Sequence, residues 1–277
     1  MPGLLRRVTI LWMRPTILVS NDDGYRSAGI RALAKRLDDL GQVIVVAPDR
    51  ERSATSHAFT LDRPLRCDPV GDGWFSVDGT PADCVYLGLL KVCPQKPALV
   101  VSGINHGFNL GSDVFYSGTV AGAVEAALRD TPAMAVSLEW HKGMRDNEAA
   151  FEKAADFAHA LARAILTEGL PPGTLLNVNV PHQPEPRGYR WTKLGKRLYR
   201  DQVDERADLR GRRYYWIGGP ANGYGDVPGS DCHAVRDGVV AVTPLDLDLT
   251  HAGLLEKLPG WRLPGFEAVV EEEMASQ

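Results

Sequence analysis

The sequence predicts an α/β fold, a Rossmann-like three-layer arrangement with a mostly parallel sheet between two helical layers. Three observations predict it. Short β-branched and aliphatic runs alternate with amphipathic helical stretches along most of the chain. Those runs are mostly apolar rather than alternating, as in strands buried on both faces. Polar turns, many with glycine, follow directly after them. Such a rhythm implies right-handed β-α-β units.

The elements follow in order. Thr16 to Ser20 reads as a buried strand, followed by the turn Asn21-Asp22-Asp23-Gly24. Ile30, Leu33, Ala34, Leu37 and Leu40 recur at helical spacing, and Gly41 stands where a helix C-cap is expected. Val43 to Ala47 is a second strand. Asp83 to Val92 reads as a helix, Ala98 to Ser102 as a strand, and Gly118 to Arg129 as a helix of small residues. Ala133 to Leu138 is a strand, Asn147 to Leu166 a long amphipathic helix, and Thr174 to Val180 another strand. Residues 187 to 217 mix aromatic and basic side chains and read as antiparallel hairpin material projecting from the main sheet. Val239 to Pro244 is a further strand, and a terminal helix is expected from Ala252 to Leu258. The reading is an N-terminal extension over residues 1–13 and one α/β domain over 14–277. Within that domain, 187–235 is the projecting hairpin region and 245–277 a C-terminal segment.

Composition narrows the functions open to the chain. Its 31 basic and 35 acidic residues leave a formal charge of -4, so the whole molecule is not built to wrap nucleic acid. Any phosphate-bearing ligand must be drawn in by a local arrangement. Cys67, Cys84, Cys93 and Cys232 form no C-x-x-C pair and no zinc-finger spacing, and read as reduced thiols. No stretch approaches the ~20 apolar residues of a membrane span. The short apolar run after Arg6 and Arg7 lacks the length and cleavage site of a signal peptide, so a cytoplasmic location is expected.

In an open parallel sheet, ligands bind beyond the carboxyl ends of the strands, so the residues just after strands carry the most information. Asp22 and Asp23 are adjacent carboxylates that repel each other unless a cation or donors neutralise them. Their hard oxygens suit Mg²⁺ or Mn²⁺, although Asn-Asp-Asp-Gly is also ordinary turn chemistry. After the second strand, Asp49-Arg50-Glu51-Arg52-Ser53 places a hydroxyl beside four charges, with Ser53 able to meet a metal or a phosphate. His57 lies in the same segment. The stretch Ser102-Gly103-Ile104-Asn105-His106-Gly107-Phe108-Asn109 reads as a glycine-rich loop able to turn backbone N–H groups toward an anion. It lacks the spacing and Lys-Ser/Thr ending of a P-loop. Asn105 offers a neutral carbonyl oxygen to a cation. His106 is either a proton donor to a leaving group or a local hydrogen-bonder. Ser117 and Thr119 stand at a helix N-terminus, where they either cap the helix or meet a phosphate.

Seven segments, taken together, resemble the survival protein E (SurE) family of 5'(3')-nucleotidases. They are Ile17 to Gly24, Val46 to Ser53, Gly79 to Val85, Val101 to Gly107, Tyr116 to Val120, Asn177 to Pro181 and Val242 to Leu245. Any one is weak; seven in order between about residues 14 and 258 are specific. The resemblance implies one divalent cation per subunit, Mg²⁺ or Mn²⁺ with Co²⁺ also admitted, held by Asp22, Asp23, Ser53 and Asn105. It implies that Asn21, Gly103, Asn109, Ser117 and Thr119 line the phosphate and its waters, with Asp22, Asp23 and Asn105 at the catalytic centre. It further implies hydrolysis of nucleoside 5'- and 3'-monophosphates, with short polyphosphate also accepted, by a metal-positioned water. Homodimers or homotetramers formed by segment exchange are implied too, with no membrane and no stable nucleic-acid complex.

Two rivals are weighed against this. An aspartyl-phosphate enzyme would carry Asp-x-Asp after its first strand, whereas Asp22 and Asp23 are adjacent. An RNA or nucleotide binder without hydrolase activity draws on residues 187–213, where ten Arg and Lys face four Asp and Glu among aromatics.

Overall fold

Strand β1 (Thr16–Ser20) is buried at all five positions and lies in the interior of a nine-stranded sheet. The computed structural model describes residues 14–183, 187–200, 202–219 and 221–265; the expected extension over 1–13 and the last part of the C-terminal segment lie outside them. After β1 come α1 (Ala28–Leu37) and β2 (Gln42–Pro48), then a hairpin of β3 (Cys67–Gly71) and β4 (Trp74–Val77). Next are α2 (Pro81–Leu87), β5 (Leu99–His106), α3 (Gly118–Ala127), β6 (Ala133–Leu138), α4 (Glu152–Glu168) and β7 (Thr174–Val180). Short strands β8 (Tyr189–Trp191), β9 (Arg197–Tyr199), β10 (Gln202–Ala207), β11 (Arg213–Gly218) and β12 (Ala221–Tyr224) precede α5 (Asp231–Arg236), β13 (Val240–Asp246) and α6 (Ala252–Leu255).

The sheet order is β3-β4-β2-β1-β5-β6-β7-β13-β8. From β4 to β7 every pairing is parallel; β3 on β4 and β13 on β7 are antiparallel. The period-two alternation of each strand feeds two cores. Ile17 and Val19 of β1, with Val45 and Ala47 of β2, pack with α1 and α4. Leu18, Ile44 and Val46 point the other way and pack with α2 and α3. This is the expected three-layer α/β fold, and it sets the carboxyl ends of β1, β2 and β5 side by side.

Several expectations are corrected. The first helix stops at Leu37 with Asp38 as its cap, so Gly41 is not a C-cap. A Cβ at Gly41 would stand 2.3 Å from the Pro15 carbonyl oxygen, so close backbone approach is what excludes a side chain there. The predicted helix from Asp83 begins at Pro81, inside a capping box built by Thr80 and Asp83, and becomes a π-helical turn over Gly88–Val92. The predicted strand ending at Ser102 runs on to His106, so Asn105 and His106 sit on β5 and not in a loop. The predicted start at Asn147 is a 3-10 turn over Glu148–Phe151, with the α-helix beginning at Glu152. The expected terminal helix is a single turn, α6, followed by a 3-10 turn over Leu258–Gly260. Hairpin β3-β4 and helix α5 were not read from the sequence. The first is partly exposed edge material containing Pro69 and Gly71, and the second is only six residues long. Within 187–217, β10 and β11 are the expected antiparallel hairpin, whereas β8 joins the main sheet parallel to β13.

Candidate active site

The strand ends converge on a cleft of about 870 Å³ lined by Asp22, Asp23, Ser53, Asn105, His106, Asn109 and Ser117, among others. Each position has a local cause. β1 ends at Ser20, and Gly24 takes a positive φ of 93°, which turns the chain back so that both carboxylates stay at the strand end. Asn21 secures this turn: its amide donates to the Gly24 carbonyl at 3.0 Å and to the Ser27 hydroxyl at 2.8 Å, while its oxygen accepts from the Gly24 N–H. Its side chain is spent on the loop and does not line the cleft.

Asp22 is 4% exposed, and one of its oxygens accepts the Thr119 hydroxyl at 2.5 Å. Thr119, fully buried at the start of α3, therefore stands behind Asp22 and not in the cleft. Asp23 meets His106 Nδ1 at 2.9 Å, and the His106 ring rests on Phe151 with centroids 5.1 Å apart. Among the described residues, the other Asp23 oxygen and His106 Nε2 find no hydrogen-bond partner and are buried. Burial first, and the charge of Asp23 second, push the Asp22 carboxyl up to about 7 against the pull of the Thr119 hydroxyl.

Asn105 donates from its amide nitrogen to the Gly107 carbonyl at 2.9 Å, leaving its oxygen as the free end. Gly103, two residues earlier on β5, serves the backbone: its φ is +145°, and a Cβ there would lie 2.4 Å from the Val136 carbonyl oxygen. It is buried and does not line the cleft. Asn109 is pinned from three sides, its N–H donating to Asn179 at 2.8 Å, its amide to Ser137 at 2.8 Å, and its carbonyl accepting from Asn177 and Asn179. Ser117 caps α3 by accepting the Val120 N–H at 3.1 Å, so its own proton remains available to the cleft. Ser53 also lines the cleft and donates to Glu51 at 2.9 Å, and Glu51 in turn pairs with Arg145.

Thus Asp22, Asp23, Ser53, Asn105, His106, Asn109 and Ser117 are brought together, while Asn21, Gly103 and Thr119 support them from behind. Sequence reasoning passed over Trp140 and Arg145, which line the cleft from the segment after β6, and Arg197 and Tyr199, which line it from β9. The first pair follows a parallel strand and was open to the same strand-end rule. The second depends on β9 folding back: Arg197 and Tyr199 both bind Asp113, at 2.5 and 2.6 Å, across more than eighty residues of sequence.

The raised carboxyl of Asp22 has a measurable consequence. Between its ordinary value of 3.8 and about 7 the folded, metal-free chain holds a proton that the unfolded chain has released, so this group lowers stability as pH rises through that window. The metal-free protein is expected to melt several degrees lower at pH 7.5 than Asp22→Asn, with the gap closing by pH 4. Equal pH profiles for the two proteins would refute the assignment.

Fold and cleft together define a Rossmann-like α/β protein with an acidic, oxygen-rich cleft at the carboxyl edge of its parallel strands. The profile of the survival protein SurE family matches residues 17–201. The chain belongs to that family. It is 52% identical over 252 residues to the 5'-nucleotidase SurE of Myxococcus xanthus, covering 90% of this chain and 94% of that one. It is also 52% identical to the 5'-nucleotidase SurE of Syntrophotalea carbinolica, covering 89% and 97%. The crystal structure of the SurE protein from Aquifex aeolicus is 42% identical with a TM-score of 0.78, covering 89% of this chain and 99% of that chain. The family as a whole is metal-dependent.

Proposed function

We propose that this protein hydrolyses nucleoside monophosphates, 5' foremost and 3' as well, to nucleoside and inorganic phosphate, with short polyphosphate as a further substrate. The observation that carries the reading is the pair of adjacent buried acids, one with an oxygen that finds no hydrogen-bond partner among the described residues, lining one cleft with Asn105 and Ser53. An unpaired buried carboxylate oxygen is costly, and a hard cation removes that cost. The donor set fits such an ion: Asp22, Asp23, Ser53 and Asn105 would hold one Mg²⁺ or Mn²⁺ per subunit, with Co²⁺ as a third candidate. When bound, the ion supplies positive charge to the phosphoryl oxygens and acidity to water.

The chain's own groups do the rest. His106 holds Asp23 in place through Nδ1, and Thr119 holds Asp22. The Ser117 hydroxyl and the Asn109 side chain grip phosphoryl oxygens at the N-terminus of α3, where backbone N–H groups favour an anion. The Asp22–Asp23 pair accepts the proton of the attacking water. A panel of 5'- and 3'-monophosphates and tripolyphosphate, each with Mg²⁺, Mn²⁺, Co²⁺ or EDTA, tests this. Phosphate release from 5'-monophosphates that EDTA abolishes is expected; release unaffected by EDTA would overturn it.

The binding-only alternative is not favoured. Part of the basic stretch is spent on ion pairs, Arg190 with Asp237, Arg197 with Asp113, Arg206 with Asp204 and Arg213 with Glu205. The β10-β11 hairpin instead supports assembly by segment exchange into a dimer or tetramer. All its residues are exposed, including Val203, Trp216 and Ile217, and a lone two-stranded ribbon with such side chains in water is marginal. Among the described residues no helix is long and apolar enough to cross a membrane. Four free thiols support a cytoplasmic location.

A further inference from the structure

We propose that His57 is a positioning residue for Ser53, acting through the buried carboxylate of Glu125; the inference rests on the reading of Ser53 as a cation ligand. Residues 53–60 form no helix or strand, yet Ser53 and Ala54 at their start line the cleft. Ala54 and Ser56 hold φ values of +56° and +52°, conformations that L residues keep only where the surroundings impose them. The segment is therefore held from outside itself.

Three anchors do this. At the Ser53 end, Ser56 donates from its N–H to the Tyr116 carbonyl at 3.2 Å and from its hydroxyl to the Phe115 carbonyl at 2.6 Å. At the far end, Thr60 gives two hydrogen bonds to Asp83, and Thr80 donates to the Ala58 carbonyl. Between them, His57 Nε2 meets Glu125 Oε2 at 2.9 Å. Glu125 lies on α3, the helix whose first turn carries Ser117 and Thr119, and is 1% exposed. Its other oxygen accepts Arg129 at 2.8 Å.

A ring of contacts closes around this carboxylate. Arg129 lies over the Tyr86 ring at 4.4 Å, Tyr86 meets Phe59 edge-on at 5.6 Å, and Phe59 lies 5.7 Å from His57. Glu125 is thus fully compensated only when His57 is docked. A buried charge left short of a partner is costly, so this carboxylate holds His57, and with it the strained turn that presents Ser53, against the helix that presents Ser117. Without His57, the turn keeps its Ser56 contacts and the Arg52 N–H to the Asp22 carbonyl at 2.7 Å, but loses the anchor between Ser56 and Thr60.

Calorimetric titration of the metal-free protein with MnCl₂, no substrate present, tests the idea. His57→Ala is expected to weaken Mn²⁺ binding about tenfold or more, in the range typical of residues that orient metal ligands. His57→Gln, whose amide nitrogen can reach the same carboxylate, is expected to recover most of that loss. In a Ser53→Ala background, adding His57→Ala is expected to cost less than about twofold, because the group being positioned is gone. A purely structural His57 would instead lower Mn²⁺ affinity equally in both backgrounds, which would overturn the proposal, as would wild-type affinity in His57→Ala. Wild type that binds no Mn²⁺ would sink the cation site and this inference together. Wild type that binds Mn²⁺ but releases no phosphate from any monophosphate would sink only the hydrolase reading.

Discussion

Asp22→Asn is expected to lower kcat/KM for a nucleoside 5'-monophosphate by about a thousandfold, roughly 4 kcal/mol of transition-state stabilisation. The size follows from what one carboxylate does there. Asp22 supplies half of the formal negative charge in the proposed donor set, and it is the acid that the Thr119 hydroxyl fixes at the cleft wall. The amide keeps the shape and can still accept that hydroxyl, so the fold survives. What goes is the charge that draws in a cation and the base that takes a proton. Stability should move the other way, because the variant relieves repulsion between two buried, adjacent acids. Loss of activity in a protein that melts no lower than wild type is the expected pair of results. Wild-type turnover at saturating Mn²⁺ would show that Asp22 has neither role.

Gly29→Ala is expected to destabilise the fold by about 3 kcal/mol and to reduce turnover as well, although Gly29 is not in the cleft. Two effects oppose each other. Alanine in a helix is favoured over glycine by about 1 kcal/mol. Against that, a Cβ at Gly29 would lie 2.2 Å from the carbonyl oxygen of Ile104 and 3.2 Å from the Phe151 ring. The obstacle is backbone, which cannot rotate aside, so α1 and β5 must separate and the clash wins. Ile104 immediately precedes Asn105 and His106, so the shift is delivered to two cleft residues. Urea denaturation gives the stability and steady-state kinetics the activity. An unchanged denaturation midpoint would mean that α1 and β5 pack less closely than described.

Much of this fold was legible in advance, and for a physical reason. Strands β1, β6 and β7 match their predicted bounds because strands buried on both faces are mostly aliphatic and β-branched, a pattern carried by the residues themselves. The acids, the hydroxyl and the amide at the strand ends were legible for a related reason, since the carboxyl edge of such a sheet is where ligands sit. Segments whose conformation depends on distant partners were not legible. β5 passes through Gly103-Ile104-Asn105-His106 as strand because β6 supplies its hydrogen bonds, while the local residues suggest a loop.

The sequence by itself determined the alternation of strands and helices, the two-sided core and the set of groups gathered at one edge of the sheet, because burial periodicity and side-chain chemistry are local properties. Only the tertiary structure decided how those groups divide their labour. Asn21 closes its own turn, Thr119 stands behind Asp22, Gly103 makes room for β6, and Arg197 and Tyr199 reach the cleft through Asp113. Hydrogen-bond partners and close backbone approaches join residues far apart along the chain, and no local pattern encodes which of them will meet.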